Sequence, residues 1–219
     1  MLVQELIYST FPSISFEDTT GFALQLMEEY EVQHLPVVND EKYIGLISKD
    51  ELLDADENSP ISASAAHLIK ASVPSKEHFL TAVKICSEQN LSVVPVINEQ
   101  LELQGMVTPN DLVRATAIFN SVDARGGFIV LEMDKANYSF GELNKLVETN
   151  DANIVQLNTY TDNVSGAFTV SIKINKFEVS DIVATFQRYD YNIKYYFGEE
   201  LYENELKENY DLLMNYLKM

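Results

Sequence analysis

Apolar and polar positions between residues 12 and 113 run through one pattern twice. Sliding residues 12–53 against 71–113 sets Ala23 on Ala82, Leu24 on Val83, Met27 on Cys86, Val32 on Leu91, Leu35 on Val94, Pro36 on Pro95 and Val37 on Val96, at an offset of 59. After one added residue near Gln100 the offset becomes 60, with Gly45 on Gly105, Ile47 on Val107, Ser48 on Thr108, Glu51 on Asp111 and Leu52 on Leu112. Self-similarity at a fixed period marks a duplicated supersecondary unit. In each copy a helical period comes first, over Phe22, Leu26 and Tyr30 or Phe79, Val83, Cys86 and Ser87, with Asp18-Thr19 and Lys76-Glu77 as start signals. A short apolar strand follows, His34 to Asn39 or Val93 to Asn98, then a turn at Asp40-Glu41 or Glu99-Gln100 and a second strand, Tyr43 to Ser48 or Leu103 to Thr108. The last helix opens at Ser48 or Thr108, both good N-caps, with Pro109 at a first-turn position where a missing N–H costs nothing.

After residue 118 the pattern changes. The stretch 119–126, FNSVDARG, holds turn formers and reads as a linker. Phe128 to Met133 predicts a strand, and Ser139 with Glu142 a capping box opening a helix through Leu143, Leu146 and Val147. Ala152 to Tyr160 alternates as a strand, residues 162–166 form a hairpin loop, and Ala167 to Ile174 returns. Asn175 with Glu178 predicts the next helix, through Ile182, Val183 and Phe186, before a strand from Tyr191 to Phe197. The order βαββαβ is the ferredoxin-like plan. Residues 199–219 predict one amphipathic helix, with Tyr202, Leu206, Tyr210, Leu213 and Leu217 on one stripe. The chain therefore reads as a mixture of α/β and α+β architecture: repeats over about 1–58 and 59–118, a second domain over 127–198, and a C-terminal helix.

Charge narrows the partners. The chain carries 34 acidic and 15 basic residues, a net charge of −19, and both halves are acidic: 19 against 7 up to residue 125, and 15 against 8 after it. No window supplies the clustered Lys and Arg of a nucleic-acid footprint, and the same field repels an anionic membrane surface. One cysteine, Cys86, excludes an internal disulfide, and three histidines (His34, His67, His78) show no zinc-type spacing. The N-terminus lacks the form of a secretory signal, and no apolar run is long enough to span a bilayer, so the expectation is a soluble cytoplasmic protein.

The candidate chemistry lies where the second strand of each repeat meets its last helix. A Ser or Thr hydroxyl beside unpaired N–H groups at a helix start suits a phosphate, and a carboxylate three residues later suits a ribose. The same residues also serve as plain N-caps and first-turn acids. The doubled Pro…Gly-x-Ile/Val-Ser/Thr-x-x-acid pattern, Pro36…Gly45 to Glu51 and Pro95…Gly105 to Asp111, resembles the cystathionine-β-synthase (CBS) domain family, whose paired copies form a Bateman module. That resemblance implies an adenosyl ligand, with Thr108 on phosphate, Asp111 on ribose, Asn110 between them, and adenine in an apolar slot beside Val94. It implies an equivalent set of Ser48, Lys49 and Glu51 in the first copy. The first set has the longer Glu51 where the pattern favours Asp, and the second has Pro109 where a base would face phosphate. Lys49, Lys84 and Arg114 are the local cations against an acidic field, so a monophosphate or adenosylmethionine is easier to accommodate than ATP. His34 has no counterpart in the second copy and reads as a satisfied structural histidine.

The second domain, following a CBS pair, resembles the ACT family of amino-acid-sensing modules, and the whole resembles the acetoin-utilisation regulatory type. The turn where ACT domains take amino acids is here Asp134 to Tyr138, with no glycine, which favours an assembly role. No nucleophile with a base, metal set or phosphate loop stands out, so the expectation is a non-enzymatic small-molecule sensor and homodimer with no cofactor proper. The alternative is a structural or interaction protein with degenerate ligand sites.

Overall fold

The computed structural model describes residues 1–7 and 10–198. The chain divides into two compact units, the first spanning residues 1–119 and the second starting at Asn120.

In the first unit each repeat builds a three-stranded sheet. Copy one contributes β1 (Ile14–Ser15), α1 (Thr20–Glu29), β2 (His34–Asn39), β3 (Lys42–Ser48) and α2 (Lys49–Leu53). Copy two contributes β4 (Val73–Pro74), α3 (Phe79–Gln89), β5 (Val94–Ile97), β6 (Leu103–Val107) and α4 (Pro109–Phe119). In both, the short first strand pairs parallel with the second and the second antiparallel with the third. Asp40 and Glu41 both have positive φ, as a two-residue hairpin with right-handed strand twist requires. The two-residue strands β1 and β4 left no periodic signal in the sequence.

Helix α1 is capped by Thr19, whose hydroxyl accepts from the Phe22 amide at 3.3 Å. Helix α3 starts later than Lys76-Glu77 suggested. His78 is its N-cap, with Nδ1 accepting from the Leu80 amide at 3.4 Å, while Lys76 pairs with Glu99 at 2.9 Å and the Glu77 amide closes a turn onto Pro74.

The two copies are interleaved. The 3-10 helix Ile61–His67 docks on copy one through Ile61 N–H to Asp18 O and Ser62 N–H to Phe16 O. The 3-10 helix Val3–Leu6 makes the equivalent contacts on copy two, through Val3 N–H to Glu77 O and Gln4 N–H to Ser75 O. Val3 and Ile61 are fully buried in one continuous apolar cluster that takes in both copies. Two contacts join residues that are equivalent under the repeat offset, Gln33 with Ser92 and Lys42 with Glu102. A residue touches its own counterpart only near a twofold axis, so these pairs mark the pseudo-symmetry axis.

The second unit is built from β7 (Phe128–Met133), α5 (Phe140–Glu148), β8 (Ile154–Thr161), β9 (Phe168–Ile174), α6 (Ser180–Arg188) and β10 (Asn192–Phe197). Its sheet is antiparallel throughout in the order β10-β7-β9-β8, the ferredoxin-like arrangement. Ile129, Leu131, Val170 and Ile172 pack against Leu143, Val147, Ile182 and Phe186 of the two helices. Helix α6 starts at Ser180 instead of near Asn175, because the Asn175 carboxamide oxygen accepts from the Asn153 amide at 2.8 Å and ties that residue to the other loop. Gly126 has φ +147° and a Cβ there would lie 1.7 Å from the Ile174 carbonyl, so only glycine fits. The predicted helix of 199–219 lies outside the described residues.

On the sheet face away from the helices, the side chain of Lys173 is almost fully buried. Its ammonium donates to the carbonyls of Ser121 and Val122 and lies 5.3 Å from the centre of the Phe128 ring. Asn120 Oδ1 accepts from Gln156 and Asn158 at 3.1 and 3.0 Å, so residues 120–122 are strapped to the sheet by three side chains. Among the described residues no helix is long and apolar enough to cross a membrane.

Candidate ligand-binding site

Strand β3 ends at Ser48, whose hydroxyl accepts from the Glu51 amide at 3.3 Å, leaving its own O–H free to donate. The Lys49 amide bonds the Gln33 carbonyl at 2.8 Å, which draws the β3–α2 junction against the start of β2. Helix α3 of the other copy ends at Asn90 in the left-handed region (φ 50°) and turns sharply through Leu91 and Ser92. Between these junctions lies a cavity of about 400 Å³, walled by Gln33, His34, Ser48, Lys49 and Asp50 from copy one and Gln89, Asn90, Leu91 and Ser92 from copy two. Its wall is mainly polar, with one cation and one carboxylate.

His34 joins the two walls. Its Nδ1 accepts from the Ser92 amide at 3.2 Å and lies 3.1 Å from the Ser92 hydroxyl, which accepts in turn from the Gln33 amide at 3.0 Å. Burial holds the ring's pKa below the ordinary histidine value, against the opposing pull of the Asp50 charge.

Of the ligand-binding residues expected from the sequence, Ser48 and Lys49 line this cavity, and Glu51, Val94, Thr108, Asn110 and Asp111 do not; His34, read there as structural, lines it too. The Glu51 carboxylate pairs with Nδ1 of His67, at the end of the 3-10 helix. Thr108 and Asp111 cap α4 reciprocally: Asp111 Oδ2 accepts from the Thr108 hydroxyl at 2.5 Å and amide at 3.2 Å, and Thr108 Oγ1 accepts from the Asp111 amide at 3.2 Å. Arg114 Nη1 lies 4.0 Å from Asp111 Oδ1. Asn110 is exposed at the start of α4, and Val94 is fully buried in β5.

Pseudo-symmetry compares the two positions directly. The repeat offset carries His34 onto Val93, Lys49 onto Pro109, Asp50 onto Asn110 and Gln89 onto Tyr30. The donor ring and the cation of the first position are thus a buried aliphatic side chain and a proline at the second. Sequence reasoning missed Gln33, Asn90 and Ser92 because none belongs to a strand or helix motif. The signal that finds them is the offset itself, which pairs Gln33 with Ser92.

Residues 3–58 and 69–118 match the model of the CBS domain. The first unit is a tandem pair of CBS domains. The chain is 26% identical over 162 residues to inosine-5'-monophosphate dehydrogenase of Bacillus subtilis, covering 70% of this chain and 33% of that protein. It thus spans about a third of the length of the curated relatives it matches. Among solved structures, a CBS domain pair/ACT domain protein from Thermotoga maritima has a TM-score of 0.51 at 23% identity, covering 54% of this chain and 98% of that one. CBSX2 in complex with AMP has a TM-score of 0.44 at 21% identity, covering 54% and 97%. The T. maritima likeness supports the fold of the CBS pair.

Proposed function

We propose that this protein is a regulatory small-molecule sensor that acts without catalysis. The CBS pair takes an adenosyl nucleotide or a related ligand, and the second, ACT-like domain serves assembly and output in a homodimer. The cavity at the pseudo-symmetry axis carries this reading, because both repeats supply its walls and a ligand there bridges them. Its volume of about 400 Å³ suits one small polar molecule and falls within the usual range of ligand pockets. A single cation, Lys49, beside Asp50 and in a chain of net charge −19 favours AMP or adenosylmethionine over ATP.

A ligand shifts the angle between the repeats only by its differential affinity for the two arrangements. Helix α4 ends at Phe119, and the chain continues directly into the second unit at Asn120.

The test is a thermal-shift and calorimetry panel of AMP, ATP, adenosylmethionine and free amino acids, since a ligand of the native state raises the melting temperature by mass action. AMP or adenosylmethionine should stabilise the protein. The second reading, a structural protein with degenerate sites, is favoured by the Glu51–His67 pair and the Thr108–Asp111 cap, which engage both acids within the protein. A panel in which no compound moves the melting temperature selects it.

A further inference from the structure

We infer that His34 donates a hydrogen bond from Nε2–H to a phosphate oxygen of a nucleoside monophosphate in the CBS-pair cavity, with Ser92 of the other repeat fixing its tautomer. The inference rests on the proposed nucleotide site. A backbone amide only donates, so the 3.2 Å contact from the Ser92 amide requires a lone pair on Nδ1, and the proton of the neutral ring then sits on Nε2. Nε2 has no partner among the described residues and is not sealed from solvent, and His34 lines the cavity. The neutral ring therefore keeps one donor, Nε2–H, that no described residue of the protein takes up.

The surroundings choose the acceptor. The charged groups of the wall are Lys49 and Asp50, both from α2, while Gln89 to Ser92 on the opposite side bring none. Leu91 is the lone aliphatic side chain of the wall, so a purine face finds little to stack on, whereas the Lys49 ammonium, the Ser48 hydroxyl and Nε2–H together suit oxygens of a single phosphate. One cation opposed by Asp50 does not neutralise a triphosphate. Val93 and Pro109 at the related position supply neither donor nor cation, which assigns the phosphate to this end of the pair.

The test uses the full chain. Long-range ¹⁵N–¹H correlation at pH 7 should show His34 protonated on Nε2 and bare on Nδ1, with AMP shifting the Nε2 resonance. By calorimetry, His34→Leu should weaken AMP about tenfold or more, as expected for losing a hydrogen bond to a charged group, and should leave adenosine unchanged. His34→Gln, whose amide nitrogen stands in for Nε2, should retain most of the AMP affinity. An Nδ1–H ring, equal AMP affinity in His34→Leu, or equal losses for AMP and adenosine would each overturn the inference. Absence of AMP binding to the wild type sinks this inference and the nucleotide reading together, whereas undiminished binding to His34→Leu sinks the inference alone.

Discussion

The Val3 amide donates to the Glu77 carbonyl at 2.9 Å, so the first residues of the chain are bound to the helix start of the second repeat. Ile61, just before the second repeat, makes the same bond to Asp18 of the first. Each repeat is closed by the segment preceding the other, and neither has a complete core alone. Deleting residues 1–6 should therefore damage copy two. Removing the fully buried Val3 side chain costs about 1.5 to 3 kcal/mol in burial alone. Hydrogen exchange in the truncated protein should show lost protection at residues 73–89 before residues 20–29, and the reverse order would refute the interleaving.

Lys173 should hold residues 120–122 on the sheet of the second unit. Lys173→Met keeps the length and apolar stem but leaves the Ser121 and Val122 carbonyls without their donor. A hydrogen bond to a charged group contributes about 1.5 to 3 kcal/mol. Exchange at residues 120–126 should rise while the sheet amides of β7 and β9 stay protected. In the ligand-bound wild type, protection should extend into the second domain, and the substitution should confine it to the CBS pair.

Protonating His34 sets Nδ1–H against the Ser92 N–H, so the contact between the repeats depends on pH. Burial lowers the folded-state pKa below the reference value of 6.5. Between those two values the unfolded chain binds more protons than the folded one, so stability rises with pH there. This contribution is complete above pH 6.5, is lost as pH falls toward the folded pKa, and is constant below it. Urea titrations from pH 5 to 8 should show the loss in wild type and not in His34→Leu.

Leu53 and Val113 are equivalent under the repeat offset and both stand on the surface, 62% and 67% exposed, and Ile118 and Phe119 at the end of α4 are exposed as well. Such apolar helix surface fits the proposed homodimer. Light scattering should give twice the chain mass of 24.8 kDa at micromolar concentration. Leu53→Glu with Val113→Glu should shift it toward monomer if these helices form the contact.

The sequence by itself determined the duplication, the order of the longer strands and helices of both domains, and the helix starts at Ser48 and Thr108. These rest on local periodicity and capping chemistry, which need only neighbouring residues. It also singled out Ser48 and Lys49, which line the cavity between the two repeats. What each acid does was decided elsewhere: Glu51 meets His67 and Asp111 folds back on Thr108, because partners and rotamers are set by packing. The exchange of the Val3 and Ile61 segments left no trace in the pattern, since a 3-10 turn has too few residues to show a period. The contact of His34 with Ser92 likewise became visible only when the two copies were brought face to face. Residues 58 apart share no local rule, and only the twofold packing of the repeats makes them neighbours and turns a lone histidine into the wall of a cavity.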